Sequence, residues 1–196
     1  MRFYACGGDG TLYEVINGAV GYPTAEVAVV PSGTGNDFIK AFSSPEFFSD
    51  IKRQLLGKPE RLDLIRYNNK YCINVLNIGF DCDVVQKVSE IKRSALVPSK
   101  LAYLFSVANV FTKTFGKSFK VLIDDRELIE HEFMLLALAN ANYYGDGFKV
   151  APDALLDDGY MNLCLVDKVS RAEFIKLVAK YKVGHHVNEN GESLYP

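Results

Sequence analysis

Arg2-Phe3-Tyr4-Ala5-Cys6-Gly7-Gly8-Asp9-Gly10-Thr11 and Glu26-Val27-Ala28-Val29-Val30-Pro31-Ser32-Gly33-Thr34-Gly35-Asn36-Asp37-Phe38 share one pattern: an apolar run, a glycine-rich turn and a helix start. Arg2 to Cys6 reads as a short strand, with β-favouring Phe3 and Tyr4. Glu26 to Val30 is almost continuously apolar, as a parallel strand covered on both faces should be. Between them, Thr11-Leu12-Tyr13-Glu14 has the form of a capping box. Leu12, Val15, Ile16 and Ala19 follow at helical spacing, and Gly21 and Pro23 end that helix. The order is therefore β-α-β, the unit of a layered parallel fold.

Two such turns put clusters of backbone N–H groups side by side at helix N-termini. Unpaired amides and the positive end of the helix dipole then both favour phosphate. One glycine turn alone is weak evidence, since tight strand–helix connections need glycine for positive φ anyway. A pair carrying Asp9 and Asp37 goes further, toward a nucleotide phosphate tail and a divalent cation. No Lys follows the glycines, so this is not a Walker loop.

Downstream, Asn36 or Asp37 can cap a helix that turns Phe38, Ile39 and Phe42 inward. A further helix is expected over Phe47 to Leu56, ending at Gly57-Lys58-Pro59. Residues 1–58 thus read as a Rossmann-like α/β/α nucleotide-binding domain. The pattern then changes. Leu62 to Tyr67 and Lys70 to Ile78 are strands joined at the turn Asn68-Asn69. Helices are expected from Asp83 to about Lys92 and after Pro98, the second with Leu101, Leu104, Phe105, Ala108 and Phe111 on one face. Phe119 to Ile123, Leu128 to Ala139 and Tyr160 to Val166 read as antiparallel strands, the first two turning at Asp124-Asp125. Ser170-Arg171-Ala172-Glu173 is a second capping box, ahead of a packing stripe of Phe174, Leu177, Val178 and Tyr181. Residues 59–196 therefore form a mainly antiparallel β domain with inserted helices.

Composition narrows the function classes. A chain of 196 residues that is 48% hydrophobic can bury a proper core, and a net charge of −2 without a basic block argues against nucleic acid as a partner. Cys6, Cys72, Cys82 and Cys164 show no CxxC spacing, which suggests buried free thiols in a reducing compartment. Met1 leads straight into a strand without a signal peptide, and the longest apolar run, Phe133 to Ala139, is far too short to span a bilayer. The expectation is a cytoplasmic chain, at most peripheral to a membrane. His185-His186 reads as a solvent-facing pair, with no third ligand nearby.

Gly7-Gly8-Asp9-Gly10-Thr11-Leu12 with Glu14-Val15 and Asn17-Gly18, then Pro31-x-Gly33-Thr34-Gly35-Asn36-Asp37-Phe38, resembles the diacylglycerol kinase catalytic domain and, more broadly, the soluble lipid kinases. Later segments agree in order: Leu62-Asp63-Leu64, Asn74-x-x-Asn77-Ile78-Gly79-Phe80-Asp81, Ala141-Asn142 with Tyr144-Gly145-x-Gly147, and Ala151-Pro152-x-Ala154 before Asp158-Gly159. The resemblance implies an α/β nucleotide domain followed by an antiparallel β-sandwich. It also implies transfer of the ATP γ-phosphoryl to a lipid hydroxyl, with Mg²⁺ as cofactor. Diacylglycerol, reached from the bilayer surface, is the implied acceptor and phosphatidic acid the product. It assigns Gly7, Gly8, Asp9, Gly10, Thr11, Glu14 and Thr34 to the nucleotide, and Asp9, Asp37 and Asp63 to an acidic catalytic network. Leu155, Asp158 and Tyr160 match a second Mg²⁺ site made by two carbonyls and a carboxylate; Asp157-Asp158-Gly159 is equally readable as a hairpin turn.

The chain departs from that family in several places. Tyr13 replaces a usual Asn, and Asp146 interrupts a run of glycines. Relatives begin with further strands and end with an Asp-Gly-Glu strand whose Glu is the expected base; Glu192 comes too early to be that residue. Both domains are therefore expected to be incomplete, with an unpaired edge on the first strand that invites strand exchange and makes a homodimer one expected partner. Two other readings stand beside the lipid kinase. One is an NAD kinase, which shares the Gly-Gly-Asp-Gly turn but not the Gly33 to Phe38 sequence; the other is a fragment that binds nucleotide without catalysis.

Overall fold

The computed structural model describes residues 1–80, 82, 116–125 and 127–187, which form two compact units. The first comprises Met1–Leu76, Leu138–Asn162 and Lys180–Tyr195; the second comprises Asn77–Ala137 and Leu163–Ala179. The boundary expected near residue 58 falls inside the first stretch of the first unit. The helices expected over 83–92 and after Pro98 lie outside the described residues.

The first unit starts with β1 (Arg2–Gly7), α1 (Asp9–Ala19) and β2 (Glu26–Pro31). The strands pair in parallel from Arg2 opposite Glu26 to Gly7 opposite Pro31, and among the described residues β1 pairs with β2 alone. Ala5, Leu12, Ile16, Val29 and Phe38 are buried together, with Val15, Ile39 and Phe42 packed on them. The helical spacing read in the sequence therefore marks a core face. Phe38, Phe42 and Phe48 extend this core as edge-to-face pairs, with ring centres 5.3 and 5.0 Å apart.

The helix expected over Phe47 to Leu56 is broken. A 3-10 turn covers Pro45–Ser49, and a separate α2 (Ile51–Leu56) follows, capped by Asp50, whose Oδ1 accepts from the Arg53 N–H at 3.1 Å. Buried Gln54 holds the break together, its amide donating to the Val29 and Phe48 carbonyls at 2.9 and 2.7 Å. Arg2 gathers the far end of α2, donating to the carbonyls of Gln54 and Gly57 at 2.5 and 3.1 Å while Nε meets Glu26 at 2.9 Å. A cation at a helix C-terminus is favourable for both the orphan carbonyls and the dipole.

Next, β3 (Ile65–Tyr67) and β4 (Lys70–Cys72) form the expected antiparallel hairpin, turning at Asn68 with φ of 50°. The hairpin is shorter than its apolar run. Bends at Ile73 and Asn74 break the second strand, so β5 (Val75–Gly79) belongs to a different sheet. Asn17 of α1 fixes the hairpin. Its amide donates to the Tyr71 carbonyl at 2.8 Å and accepts from the Tyr71 N–H at 2.9 Å, as a neighbouring strand would. The first unit also holds the short pair β8 (Tyr143–Tyr144) and β9 (Phe148–Lys149), which come after the next two strands in the sequence.

The antiparallel sheet in the C-terminal part contains β5, β6 (Lys117–Ile123), β7 (Glu127–Ala139) and β10 (Asn162–Asp167), with β7 between β10 and β5 and also paired with β6. Asp124 and Asp125, with φ of 49° and 55°, make the tight turn that joins β6 to β7 as expected. Phe133 to Ala137 are all buried, which accounts for the unbroken apolar run. Gly79 is required where β5 meets β7, because a Cβ there would stand 2.5 Å from the Met134 carbonyl oxygen. α3 (Arg171–Lys182) has the predicted capping box: the Ser170 N–H donates to Glu173 at 2.9 Å and the Glu173 N–H to Ser170 Oγ at 3.3 Å.

All four cysteines, each among the described residues, are thiols rather than disulfides. The expectation of buried thiols is corrected for Cys6 and Cys82, which are exposed. His186 is not solvent-facing as expected. Its Nε2–H donates to the Val150 carbonyl at 3.1 Å, and Nδ1 is buried without a partner. Burial holds its pKa below the ordinary value.

Two measurements check this packing. Asn17→Ala leaves the Tyr71 backbone groups without their side-chain partner and is expected to cost about 2 kcal/mol in urea unfolding; a loss under about 0.5 kcal/mol would mean water replaces the amide. For His186, neutral in the fold with a lowered pKa, the stability it confers is complete above about pH 6.5 and is lost as pH falls through the lowered value. His186→Phe should flatten the acid side of the stability profile. An unchanged slope would remove His186 from that role.

Candidate functional site

The in-register pairing of β1 and β2 makes both glycine turns leave the sheet at one level, with the Ser32 N–H donating to the Gly7 carbonyl at 3.0 Å. At Gly8 and Gly33 the turns touch through backbone. A Cβ on Gly8 would lie 3.2 Å from Gly33 Cα, and a Cβ on Gly33 would run into Gly8 Cα. Gly7 has no room either, because Thr11 packs where its Cβ would be. Gly10 is different: nothing lies within 4 Å of a Cβ built there. Asn36, at φ 49°, closes the second turn by accepting from the Gly33 N–H at 3.1 Å and donating to the Gly33 carbonyl at 2.8 Å.

The capping box expected at Thr11 to Glu14 is not formed. α1 starts at Asp9 with Gly8 as its N-cap, so Glu14 lies exposed in the second turn. Starting the helix earlier frees the Asp9 side chain. Its Oδ2 accepts from the Asp37 N–H and its Oδ1 from the Phe38 N–H, both at 3.1 Å. Asp9 thereby caps the short 3-10 segment Phe38–Ala41, which neither Asn36 nor Asp37 caps with its own side chain.

Asp37, only 4% exposed, points elsewhere. Its carboxylate accepts from the Asp146 and Gly147 N–H groups at 2.8 and 2.9 Å and from Lys40 Nζ at 2.7 Å. Asp146 is held at φ 68°, a left-handed backbone that glycine would adopt without cost. The two carboxylates flank Gly35, whose Cβ would stand 3.4 Å from Asp9 Oδ2 and 3.5 Å from Asp37 Oδ2. Asp63 serves a separate loop: its N–H donates to the Leu156 carbonyl and its Oδ2 accepts from the Gly159 N–H, both at 2.7 Å.

A small recess between the turns is lined by Gly7, Gly8, Asp9, Asn36 and apolar Leu12, Val29, Phe38 and Ile39. Thr34 is exposed at the tip of the second turn. Leu155 and Tyr160 are exposed, and Asp158 Oδ1 accepts from the Tyr160 N–H at 2.9 Å in a turn closed by its own side chain. Among the described residues, no group of three or more His, Cys, Asp or Glu is arranged to hold a metal ion. Glu192 lies outside the described residues.

Sequence reasoning missed Lys40, although its position three residues after Asp37 in a helical segment was a usable signal. It also missed the asparagines as bolts. Asn140 donates to the Asp63 and Ile73 carbonyls at 2.9 and 2.8 Å, and Asn142 to those of Ala151, Pro152 and Ala154 at 2.9 to 3.0 Å.

Residues 2–67 match the model of the diacylglycerol kinase catalytic domain, and residues 74–192 that of the YegS C-terminal NAD kinase beta sandwich-like domain. The chain belongs to the family of the YegS C-terminal domain, with a diacylglycerol kinase catalytic domain ahead of it. It is 32% identical over 184 residues to a diacylglycerol kinase of Staphylococcus saprophyticus, and 30% identical over 190 residues to one of Bacillus subtilis. These alignments cover 93% and 94% of this chain but 59% and 61% of those relatives, so the chain spans about three fifths of their length. The crystal structure of a diacylglycerol kinase from Bacillus anthracis superposes with a TM-score of 0.66 at 22% identity, over 91% of this chain and 58% of that one. A second solved chain from that organism gives 0.62 at 21% identity, over 93% and 59%. The family's two-part fold is the one described above.

The glycines of this candidate site separate experimentally. Gly33→Ala is expected to cost more than about 3 kcal/mol, because backbone cannot move aside as a side chain tip can. Gly10→Ala should leave stability unchanged or raise it by up to about 1 kcal/mol, since Gly10 is helical and its Cβ direction is open. Equal unfolding midpoints for both variants would refute the backbone weld.

Proposed function

We propose that the chain provides the phosphate-binding and acidic machinery of an ATP-dependent lipid kinase, with diacylglycerol as acceptor. The observation that carries this reading is the pairing of two glycine turns at the level ends of β1 and β2, with Asp9 bridging them. Backbone amides clustered at the turns suit phosphate oxygens, with the nucleoside lying outside. In the reaction, the lipid hydroxyl oxygen bonds to the γ-phosphorus, the bond to the bridging oxygen breaks and ADP leaves. The hydroxyl proton passes to a base or to water. Catalysis here is mainly positioning and neutralisation of charge.

The residues fit Mg²⁺ held through water more readily than Mg²⁺ bound directly. Each Asp9 oxygen accepts one amide and keeps a lone pair, whereas Asp37 already receives three donors. Bound there, the cation would supply neutralisation of the β- and γ-phosphates. Asp9 is then the group nearest the transferred phosphoryl, and Asp37 the post that ties the 145–147 loop to the phosphate turn. We assign Gly7, Gly8, Gly10, Thr11 and exposed Thr34 to the phosphates. Asp63 anchors the 156–159 loop, and Leu155, Asp158 and Tyr160 are retained as the donors for a second Mg²⁺. Glu14 faces solvent on α1 and would meet the nucleotide only outside the turns.

The test is Asp9→Asn. The neutral amide keeps an acceptor for one of the two N–H groups, so unfolding should shift by only about 1–2 kcal/mol. Phosphoryl transfer from ATP to diacylglycerol in mixed micelles should fall by several orders of magnitude, the scale on which phosphoryl-transfer groups act. Near-normal turnover at matched Mg²⁺ would sink the role of Asp9. Transfer to NAD in place of diacylglycerol would move the assignment to an NAD kinase, and ATP binding without transfer to either acceptor would mark a non-catalytic fragment.

A further inference from the structure

Tyr144 is followed by three residues in a row with left-handed backbone: Gly145 at φ 57°, Asp146 at 68° and Gly147 at 95°. One of them is not glycine, so the loop is strained and keeps its shape only under an outside restraint. That restraint is the Asp37 carboxylate, which accepts from the successive amides of Asp146 and Gly147 at 2.8 and 2.9 Å. Its two oxygens are loaded unequally. Oδ1 takes the Gly147 N–H and, at 2.7 Å, the Lys40 ammonium, whereas Oδ2 takes the Asp146 N–H. Oδ2 is also the oxygen turned toward Gly35, 3.5 Å from where a Gly35 Cβ would stand, and Asp9 Oδ2 lies 3.4 Å from the same point. The open side of Gly35 therefore lies between one oxygen of each acid.

A Lys three residues after an Asp is ordinarily an exposed pair that contributes little. Here the Asp37 side chain is 6% exposed and that of Lys40 35%, so the pair is shielded on its acid side. The ammonium also stands beside the loop, 3.8 Å from where a Gly147 Cβ would be. Lys40 itself belongs to the Phe38–Ala41 segment that Asp9 caps from the other turn. One series of contacts thus runs from Asp9 through the segment to Lys40, then to Asp37 and the 145–147 loop.

We propose that Lys40 is a positioning residue of the site. Its ammonium fixes Asp37 Oδ1 against the loop, so that Oδ2 and its remaining lone pair stay turned toward the open side of Gly35. Without the ammonium, the carboxylate can rotate, which loosens the loop and carries Oδ2 away from that space. What Oδ2 serves there, a divalent cation carried in with ATP, rests on the kinase reading; the hold on the loop does not.

The test uses the full chain with Lys40→Met, which keeps the aliphatic stem without the charge, beside Lys40→Arg, which keeps the charge. Hydrogen exchange followed by NMR at the Asp146 and Gly147 amides should be at least about tenfold faster in Lys40→Met, the loss expected of a hydrogen bond to a charged group. The amides of α1 should keep their rates, which shows that the fold is intact, and Lys40→Arg should restore protection of the loop. Calorimetry then reads the site. Lys40→Met should bind ATP in EDTA as wild type does, because the turn amides are untouched, and should lose most of the affinity that added Mg²⁺ brings. A merely structural role would weaken both bindings alike. Equal exchange of the two amides in wild type and Lys40→Met overturns the proposal, as does an equal loss of ATP affinity with and without Mg²⁺. If wild type binds no ATP in either condition, the kinase reading falls, and the exchange rates still decide whether Lys40 sets the loop.

Discussion

The Asp9 carboxylate, accepting from the amides of Asp37 and Phe38, is the contact on which the rest of the site depends. A helix N-cap normally belongs to the helix it caps. Here the acceptor comes from the other strand's turn, so a local requirement of the Phe38–Ala41 turn is met only if β1 and β2 are already paired. The phosphate turn and the core are thereby coupled. Phe38, whose amide Asp9 holds, is also a buried member of the Ala5, Leu12, Ile16 and Val29 cluster.

The same logic runs outward from that bond. Asp37 is displaced from capping its own turn and instead fixes Asp146 and Gly147, with Lys40 offsetting its charge. Asp63 fixes Gly159, and Asn140 in turn fixes the carbonyl of Asp63. Each loop of the site is thus held by a polar side chain from a different segment. A nearly buried carboxylate with three donors costs far less than one left unpaired, and Asp37 is accommodated in this way at 4% exposure. The functional and structural roles of these acids are not separable, since removing a carboxylate also releases a loop.

The parallel β-α-β start was legible because it rests on local information: hydrophobic period, glycine placement and strand composition over about ten residues each. The Asn68 and Asp124-Asp125 turns and the Ser170–Glu173 box were legible for the same reason. The Thr11–Glu14 box was a false signal, because the reading treated capping as a property of nearby residues. Gly8 can begin the helix without a side-chain acceptor, and Asp9 gains more by reaching across. The break at Ile73 and Asn74 was invisible in an apolar run that belongs to two sheets in succession. The motif acids were found by pattern, but their partners, which are mostly backbone amides, have no identity that a sequence can display.

The meeting of Gly8 and Gly33 has a consequence for how this site can change. A side chain on Gly33 would run into Gly8, and one on Gly8 would crowd the Gly33 backbone at 3.2 Å, so each position limits what the other can become. Remodelling one turn alone, by grafting, by library selection or by drift, meets a wall set by the other turn, some 25 residues away along the chain. The two loops therefore have to be redesigned as a unit, whereas exposed Thr34 and the side of α1 that carries Glu14 can be changed without meeting that wall.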